Sequence, residues 1–438
     1  MYNCGPTVYN YAHIGNLRAY VFADVLRRTL EMNEYTVKQV INITDVGHLV
    51  SDGDEGEDKI LIGAKREGKS VEEIIAHYSE AFFADLTALN ILPATMYPRA
   101  SAPQYIAAQK DLIERLAQKG FTYTTQDGIY FDTTKFPHYA NFAKLDIEGM
   151  RAGTRVDMGE KKHPTDFAVW KFSPEDGALR EQEWDSPLDI PRKGFPGWHI
   201  ECSAIIEREL GATIDIHTGG IDHIPVHHTN EIAQSESAHD STPLARFWMH
   251  SAFMNVDGQK MSKSLGNTHT LADLAKHGIS PMAFRYWLLT AHYRTQVNFT
   301  WEALEGAQRA YNRLRKMIAT IPQNETGGEY NQSYFNETDL DTPKFISALW
   351  VTIENADKFS DANLYAHIKE VDSVLGLDLF GYVPEEIIIT PELQALLDTR
   401  KTAREEKNFA ESDRLRDQLR TLGYEVKDTT EGQKLEHL

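Results

Sequence analysis

Two short segments, far apart in the chain, do most to limit what it can fold into. One is Ala12-His13-Ile14-Gly15-Asn16-Leu17; the other is Lys260-Met261-Ser262-Lys263-Ser264, continued by Leu265-Gly266-Asn267. The first lies where a strand gives way to a helix. Met1 to Cys4 reads as a stubby strand, and about Asn16 to Met32 reads as a helix with Phe22, Leu26 and Leu30 four apart on one face. Val37 to Ile43 is a short apolar run suited to a buried parallel strand. This order is a βαβ unit, the repeating piece of a doubly wound nucleotide-binding sheet. A helix N-terminus offers unpaired N–H groups and partial positive charge to an anion, and Gly15 leaves room for a nucleotide against the backbone. The second segment is a loop whose two lysines can close on a triphosphate; removing one such donor commonly costs on the order of 3 kcal/mol. Either segment alone is a weak signal. Both, in this order around a large insert, are a strong one.

The insert interrupts the α/β rhythm. Residues 1–100 and 196–267 are expected to form one split Rossmann-like catalytic domain, and residues 101–195, with Gly128, Pro137, Pro164 and Pro187 among aromatics and charges, an inserted α+β connective module. The nucleotide-binding pattern resumes with a strand over Thr213–His217 ending at Gly219-Gly220. A second strand is expected over Phe247–Val256, before the tight-turn pair Asp257-Gly258. Residues 268–300 read as a stem-contact-type linker region, opening a helix at Ser280-Pro281. Residues 301–380 read as a helical bundle, in which Thr300 caps a helix carrying Leu304, Ala307, Tyr311, Leu314, Ile318 and Ile321 in steps of three and four. Residues 322–342 form a polar linker, helices follow near 343–355 and 361–375, and 390–438 reads as a charged helical tail.

At 438 residues the chain exceeds one ordinary core, and two to four domains are expected. No apolar run is long enough to span a bilayer, and the opening residues do not read as a signal peptide. Two cysteines make no disulfide framework, so a reducing cytoplasm is the expected location. The net charge of −20 lowers the prior for non-specific nucleic-acid binding. It does not exclude a specific RNA complex, which needs only a local basic surface.

The two segments resemble the HIGH and KMSKS signatures of class I aminoacyl-tRNA synthetases. The resemblance implies ATP, with Mg²⁺, bound by His13, Gly15, Asn16, Lys260, Met261, Ser262, Lys263 and Ser264, with catalytic roles for His13, Asn16, Lys260 and Lys263. The fourth position of the first signature is usually histidine; Asn16 retains an amide donor but cannot carry a charge.

Four further segments bear on a metal: Cys4-Gly5-Pro6-Thr7-Val8-Tyr9, Gly197-Trp198-His199-Ile200-Glu201-Cys202-Ser203, Ile216-His217-Thr218-Gly219-Gly220-Ile221-Asp222 and His227-His228-Thr229-Asn230-Glu231. His227 and Glu231 are four apart at the start of an expected helix and share a face. Two thiols, an imidazole and a carboxylate suit zinc. Spacing alone leaves open that Cys4 and Cys202 are buried structural thiols and that His227 and Glu231 are a helix surface pair. These segments resemble the zinc-binding signatures of the cysteinyl-tRNA synthetase family. The similarity extends over nearly the whole chain, through Asn42-Ile43-Thr44-Asp45, His163-Pro164-Thr165-Asp166, Trp184-Asp185-Ser186-Pro187, Asn255-Val256-Asp257-Gly258 and Ala403-Arg404-Glu405-Glu406-Lys407-Asn408-Phe409-Ala410.

That resemblance implies one Zn²⁺ per chain on Cys4, Cys202, His227 and Glu231, joined by the substrate thiolate. It also implies a cysteine pocket lined by Thr44, Trp198 and Asp222, with Asp222 facing the ammonium and His217 nearby. The expected partners are L-cysteine, ATP and tRNA(Cys), with no membrane and a monomeric chain. Arg309, Arg313 and Lys316 fall opposite the apolar stripe of the helix after Thr300. A basic stripe is usually a solvated face, whereas the resemblance implies that the bundle of residues 301–380 is anticodon-binding and makes the stripe a tRNA contact. The implied activity is cysteine–tRNA ligation through a cysteinyl-adenylate. Rival readings are a mycothiol-type ligase joining cysteine to an amino-sugar, and a non-catalytic tRNA-binding paralogue.

Overall fold

The βαβ unit leads into a four-stranded parallel sheet. In the computed structural model, which describes residues 1–49, 56–145, 160–174, 180–262, 265–323, 339–382, 389–429 and 432–437, β1 is Tyr2–Asn3, α1 is Ile14–Met32 and β2 is Val40–Ile41. Tyr2 pairs with Val40 on one side of β1 and with His217 on the other. The sheet runs β2, β1, β8 (Ile214–Gly220), β9 (Ala245–Ser251). Its order therefore reverses at β1, and the loops leaving the carboxyl ends of β1, β2 and β8 open on one crevice, where ligands of such sheets bind. All three contribute residues discussed below.

Between β2 and β8 lie α2 (Lys59–Glu67), α3 (Val71–Ala88), α4 (Pro103–Gln118) and a five-stranded antiparallel sheet, ordered β3 (Thr122–Thr124), β4 (Gly128–Phe131), β5 (Phe167–Phe172), β7 (Lys193–Pro196), β6 (Trp184–Asp185). Its aromatic core includes Phe131, Phe167 and Trp170. The last strand, Lys193–Pro196, runs directly into α5 (Trp198–Leu210). A Cβ on Gly197 would lie 2.0 Å from the Ala168 carbonyl oxygen, so only glycine lets the helix start against the insert sheet. The insert thus sets where Trp198 and Cys202 point.

The expected strand over Phe247–Val256 is two strands in different sheets. β9 ends at Ser251 and β10 (Met254–Val256) pairs with β11 (Gln259–Lys260) and β12 (Val297–Phe299). The break is made by Arg18 of α1, buried, which donates to the carbonyls of Ala252 at 2.9 Å and Phe253 at 2.7 Å. The Phe253 carbonyl also accepts from the Val297 N–H at 3.2 Å, which hands the chain over to β12. Asp257 and Gly258, both with positive φ, close the β10–β11 hairpin.

Helices at Leu271–Lys276, Pro281–Leu289, Trp301–Ile318, Thr342–Glu354 and Asp361–Leu375 complete a first unit of residues 1–379. The apolar stripe of Trp301–Ile318 is buried as expected, through Leu304, Ala307, Tyr311, Leu314 and Ile318. The second unit, residues 380–438, corrects the expectation of a helical tail. Helices Pro391–Glu405 and Phe409–Thr421 are followed by an antiparallel hairpin, Tyr424–Thr429 with Gly432–His437. Val426 and Leu435 of the hairpin complete a core with Leu393, Leu397 and Leu419. Buried Arg400 ties helix to hairpin by a bidentate pair to Asp428, at 2.9 and 3.0 Å.

Candidate active site

His13 is the N-cap of α1, so the helix begins two residues before the expected start. Its Nδ1 accepts from the backbone N–H of Asn16 at 3.2 Å, and the Asn16 side-chain oxygen accepts from the His13 N–H at 3.2 Å. Asn16 therefore closes a capping box, filling the place usually taken by Glu or Gln. The two signature segments meet here. The Ile14 N–H donates to the His269 carbonyl at 2.9 Å, and a Cβ on Gly15 would lie 3.4 Å from Met261 Sδ. Lys260 is exposed at the end of β11, and the Asn267 carboxamide closes the loop, accepting from the Ser262 N–H at 2.8 Å and donating to the Lys260 carbonyl at 3.2 Å. Lys263 and Ser264 lie outside the described residues.

Cys4 follows β1, Cys202 lies in α5, His227 in a π-helical turn over Ile224–His228, and Glu231 in the first turn of α6 (Thr229–Ala238). One ligand atom from each falls within 4.8 Å of all the others. His227 Nε2 is 3.0 Å from Glu231 Oε1 and 3.5 Å from Cys202 Sγ. A second group meets the same criterion: Cys4, His217, His228 and Glu231. The groups share Cys4 and Glu231, with His217 Nε2 2.9 Å from the second Glu231 oxygen and His228 Nε2 3.3 Å from Cys4 Sγ. The first offers two sulfurs and the second one, so a thiophilic ion such as Zn²⁺ favours the first.

Burial pushes both thiols up. In the pair, Cys202 is drawn down to about 6 by its bond with Cys4 and by His227, while Cys4 rises well above its ordinary range. Burial also opposes ionisation of Glu231, but His217 and His227 hold it well below the usual carboxylate range. Burial works against the charge on His227 too, yet Glu231 and Cys202 raise it to about 10. Cys202 and Glu231 are thus anionic donors at neutral pH, and a bound metal ion would displace a proton from His227. The donor chemistry fits zinc.

The other expected pocket residues are distributed around this group. Trp198, the first residue of α5, stacks on His227 with centroids 4.3 Å apart, and on its other neighbour His48 at 4.0 Å and 9°. Thr44 is buried after β2 and accepts from the Asn42 amide at 3.0 Å. His217 is buried against Trp248. Asp222 is exposed at the rim, its Oδ1 2.2 Å from a Cβ built on Gly220, which makes room for it. His48, Asn42 and His228 were not singled out from sequence; the last two lay inside quoted segments, and His48 had no signal. In the helical bundle, Arg309 and Arg313 are exposed and Lys316 is half-buried. Arg309 lies 4.0 Å from Glu305, and Arg313 lies 3.8 Å from Glu354.

Residues 1–309 match the family described as tRNA synthetases class I (C) catalytic domain, and residues 389–434 match the cysteinyl-tRNA ligase anticodon binding domain. The chain is 48% identical over 443 residues to Cysteine–tRNA ligase 1 of Burkholderia lata, covering 99% of this chain and 92% of that protein. It is 40% identical over 466 residues to the Cysteine–tRNA ligase of Chlamydia felis, covering 100% and 93%. Among solved structures, the methionyl-tRNA synthetase of Mycobacterium tuberculosis with methionyl-adenylate superposes with a TM-score of 0.54 at 16% identity, over 86% of this chain and 82% of that one. The LeuRS–tRNA complex of Agrobacterium radiobacter superposes at 0.60 and 11%, over 86% and 83%. At such identities the structures speak for the class I fold, and the sequence matches decide the branch: the chain belongs to the cysteinyl-tRNA ligase family of class I tRNA synthetases.

Proposed function

We propose that the protein is a cytoplasmic cysteine–tRNA ligase that activates L-cysteine with ATP·Mg²⁺ to cysteinyl-adenylate and passes the cysteinyl group to the 3′-terminal ribose of tRNA(Cys). The observation that carries this reading is the convergence of Cys4, Cys202, His227 and Glu231 in the crevice of a sheet whose first helix is capped by His13. The N-terminus of α1 holds the phosphates. Lys260 and Lys263 close over them and stabilise charge as pyrophosphate leaves. The cysteine carboxylate attacks the α-phosphorus, and the ribose hydroxyl then displaces AMP. Trp198 and Thr44 wall the pocket, and Asp222 at its rim attracts the substrate ammonium. Zinc held by Cys4, Cys202, His227 and Glu231 supplies a preference for sulfur over the harder serine hydroxyl. A site that bonds the distinguishing atom rejects its analogue far better than one that weighs a methylene. Arg309, Arg313 and Lys316 meet tRNA phosphates.

The test is cysteine-dependent ATP–pyrophosphate exchange run beside charging of tRNA bearing a GCA anticodon. Exchange with charging is expected. Exchange without charging would favour the amino-sugar ligase, and neither would favour the non-catalytic paralogue.

A further inference from the structure

Thr7 lies in the loop between Cys4 and His13, three residues from the first. At no more than about 3.6 Å per residue, its Cα is within about 11 Å of that of Cys4. Its hydroxyl is 2.5 Å from His48 Nδ1, and the opposite ring nitrogen of His48, Nε2, is 2.6 Å from Lys59 Nζ. The direction of this chain is forced. An ammonium has three donors and no acceptor, so His48 Nε2 must accept and carries no proton. A neutral imidazole keeps its one proton on the other nitrogen, so Nδ1–H donates to Thr7 Oγ1. Burial, followed by the Lys59 charge, holds His48 well below its ordinary range, in keeping with a neutral ring. The Thr7 hydroxyl thus receives a proton from His48 and cannot give its own back. Among the described residues its only hydrogen bond is this one, and the side chain is half-buried.

The position of this spare donor is defined by the rings beside it. His48 lies flat on Trp198, and Trp198 on His227. Lys59 is itself held by the loop, its N–H donating to the His48 carbonyl at 3.0 Å. Cys4 and His13 are the ends of the loop that carries Thr7, so a substrate with its thiol at the Cys4 group and its phosphoryl end at the α1 N-terminus spans the two ends of that loop.

We infer that Thr7 is a substrate-contacting residue, its hydroxyl donating to an oxygen of the cysteine carboxyl or of the adjoining α-phosphoryl group, and that Lys59, through His48, is the positioning residue that points it there. This rests on the ligase reading above. An oxygen that gains charge as the adenylate forms gains most from a donor already oriented toward it. Without Lys59 the ring can flip its proton to Nε2, take the Thr7 proton at Nδ1 and withdraw the donor.

Thr7→Val removes the hydroxyl at nearly constant shape. In cysteine-dependent ATP–pyrophosphate exchange, kcat is expected to fall about 100-fold, with the KM for cysteine and the zinc content within roughly threefold of wild type. Thr7→Ser should recover most of kcat. Lys59→Met should lower kcat in wild type but add nothing in the Thr7→Val background, and Lys59→Arg should be milder. Three results would overturn the inference alone: wild-type exchange with unchanged Thr7→Val, equal losses in Thr7→Val and Thr7→Ser, or fully additive Thr7 and Lys59 effects. Wild-type protein without cysteine-dependent exchange would overturn the ligase reading and this inference with it.

Discussion

Asp24 and Arg285 form a fully buried ion pair that joins α1 to the helical bundle, and its removal should be costly. Arg285 Nε also donates to the Leu375 carbonyl at 2.8 Å and Nη1 to the Leu89 carbonyl at 2.8 Å. Asp24 accepts from Arg28 Nε and from the Leu92 N–H, both at 2.8 Å. Every arm of the guanidinium is thus spoken for, and its charge is answered by Asp24. Asp24→Asn keeps shape and one acceptor but leaves that charge buried without a counter-ion. Breaking such a pair costs about 3–5 kcal/mol; with the amide oxygen retained, we expect about 3. For a unit of this size that lowers the midpoint of the first thermal transition by about 4 °C. Gly376, with φ +61, is part of the same node: a Cβ there would lie 2.6 Å from Arg285 Nη2. The assay is urea unfolding followed by circular dichroism, scored on the transition of residues 1–379, since a two-unit chain need not unfold in one step. At 25 °C, exchange activity of the folded protein should be near wild type, because the His13 cap is eleven residues away along the chain. A cost below about 1 kcal/mol would refute the reasoning, for then the charge is not held in low dielectric.

Four further outcomes are expected. Burial raises Asp85 in α3 to about 6; a carboxyl raised on folding contributes stability below its unfolded value near 3.8, and that contribution is lost as pH rises through about 6. Because the group is partly exposed, Asp85→Asn should stabilise by only about 1–2 kcal/mol at pH 7.5 and by nothing at pH 3.5, read from urea midpoints. Gly47 has φ +75 and a Cβ there would lie 2.3 Å from the Pro196 carbonyl oxygen, so Gly47→Ala should cost about 2 kcal/mol or more and raise the KM for cysteine, against unchanged melting if the contact is slack. Cys202→Ser should lower zinc per chain, measured by atomic emission, below about one tenth of wild type, since the remaining set has one sulfur. Neutralising Arg309, Arg313 and Lys316 together should weaken tRNA binding and flatten its salt dependence by up to about 3 units of slope while exchange stays within a few-fold. Equal loss in both assays would mean the helix supports the core instead.

What could be read from the amino-acid order divides along physical lines. The βαβ start, the helix of residues 301–318 and the inserted module were legible because each is written in local apolar periodicity or in a local change of composition. The break between β9 and β10 was not, since Arg18, more than two hundred residues away in sequence, holds the carbonyls of Ala252 and Phe253 where the chain crosses from one sheet to the next. The C-terminal hairpin was hidden by charge: Tyr424 and Val426 alternate as a strand should, but Glu425 between them and Lys427 and Asp428 after them look like the preceding helices. In the candidate site the residue types were legible from spacing, while the grouping of Cys4, Cys202, His227 and Glu231 came only through the family resemblance. His227 and Glu231 announce themselves by helical spacing, yet nothing local distinguishes His227 from His228, and the two face different thiols in the structure. Asn16 carries the same lesson in reverse. Judged as a phosphate ligand it looks like a loss, because it cannot bear charge. Judged as the third residue of a helix it is a gain, because its oxygen takes the one N–H that the His13 side chain cannot reach. In the proposed ATP site this position serves both the cap and the ligand; it is then free to change its ligand chemistry so long as the cap survives, and asparagine satisfies that condition while leaving its amide N–H₂ for the phosphates of the proposed site.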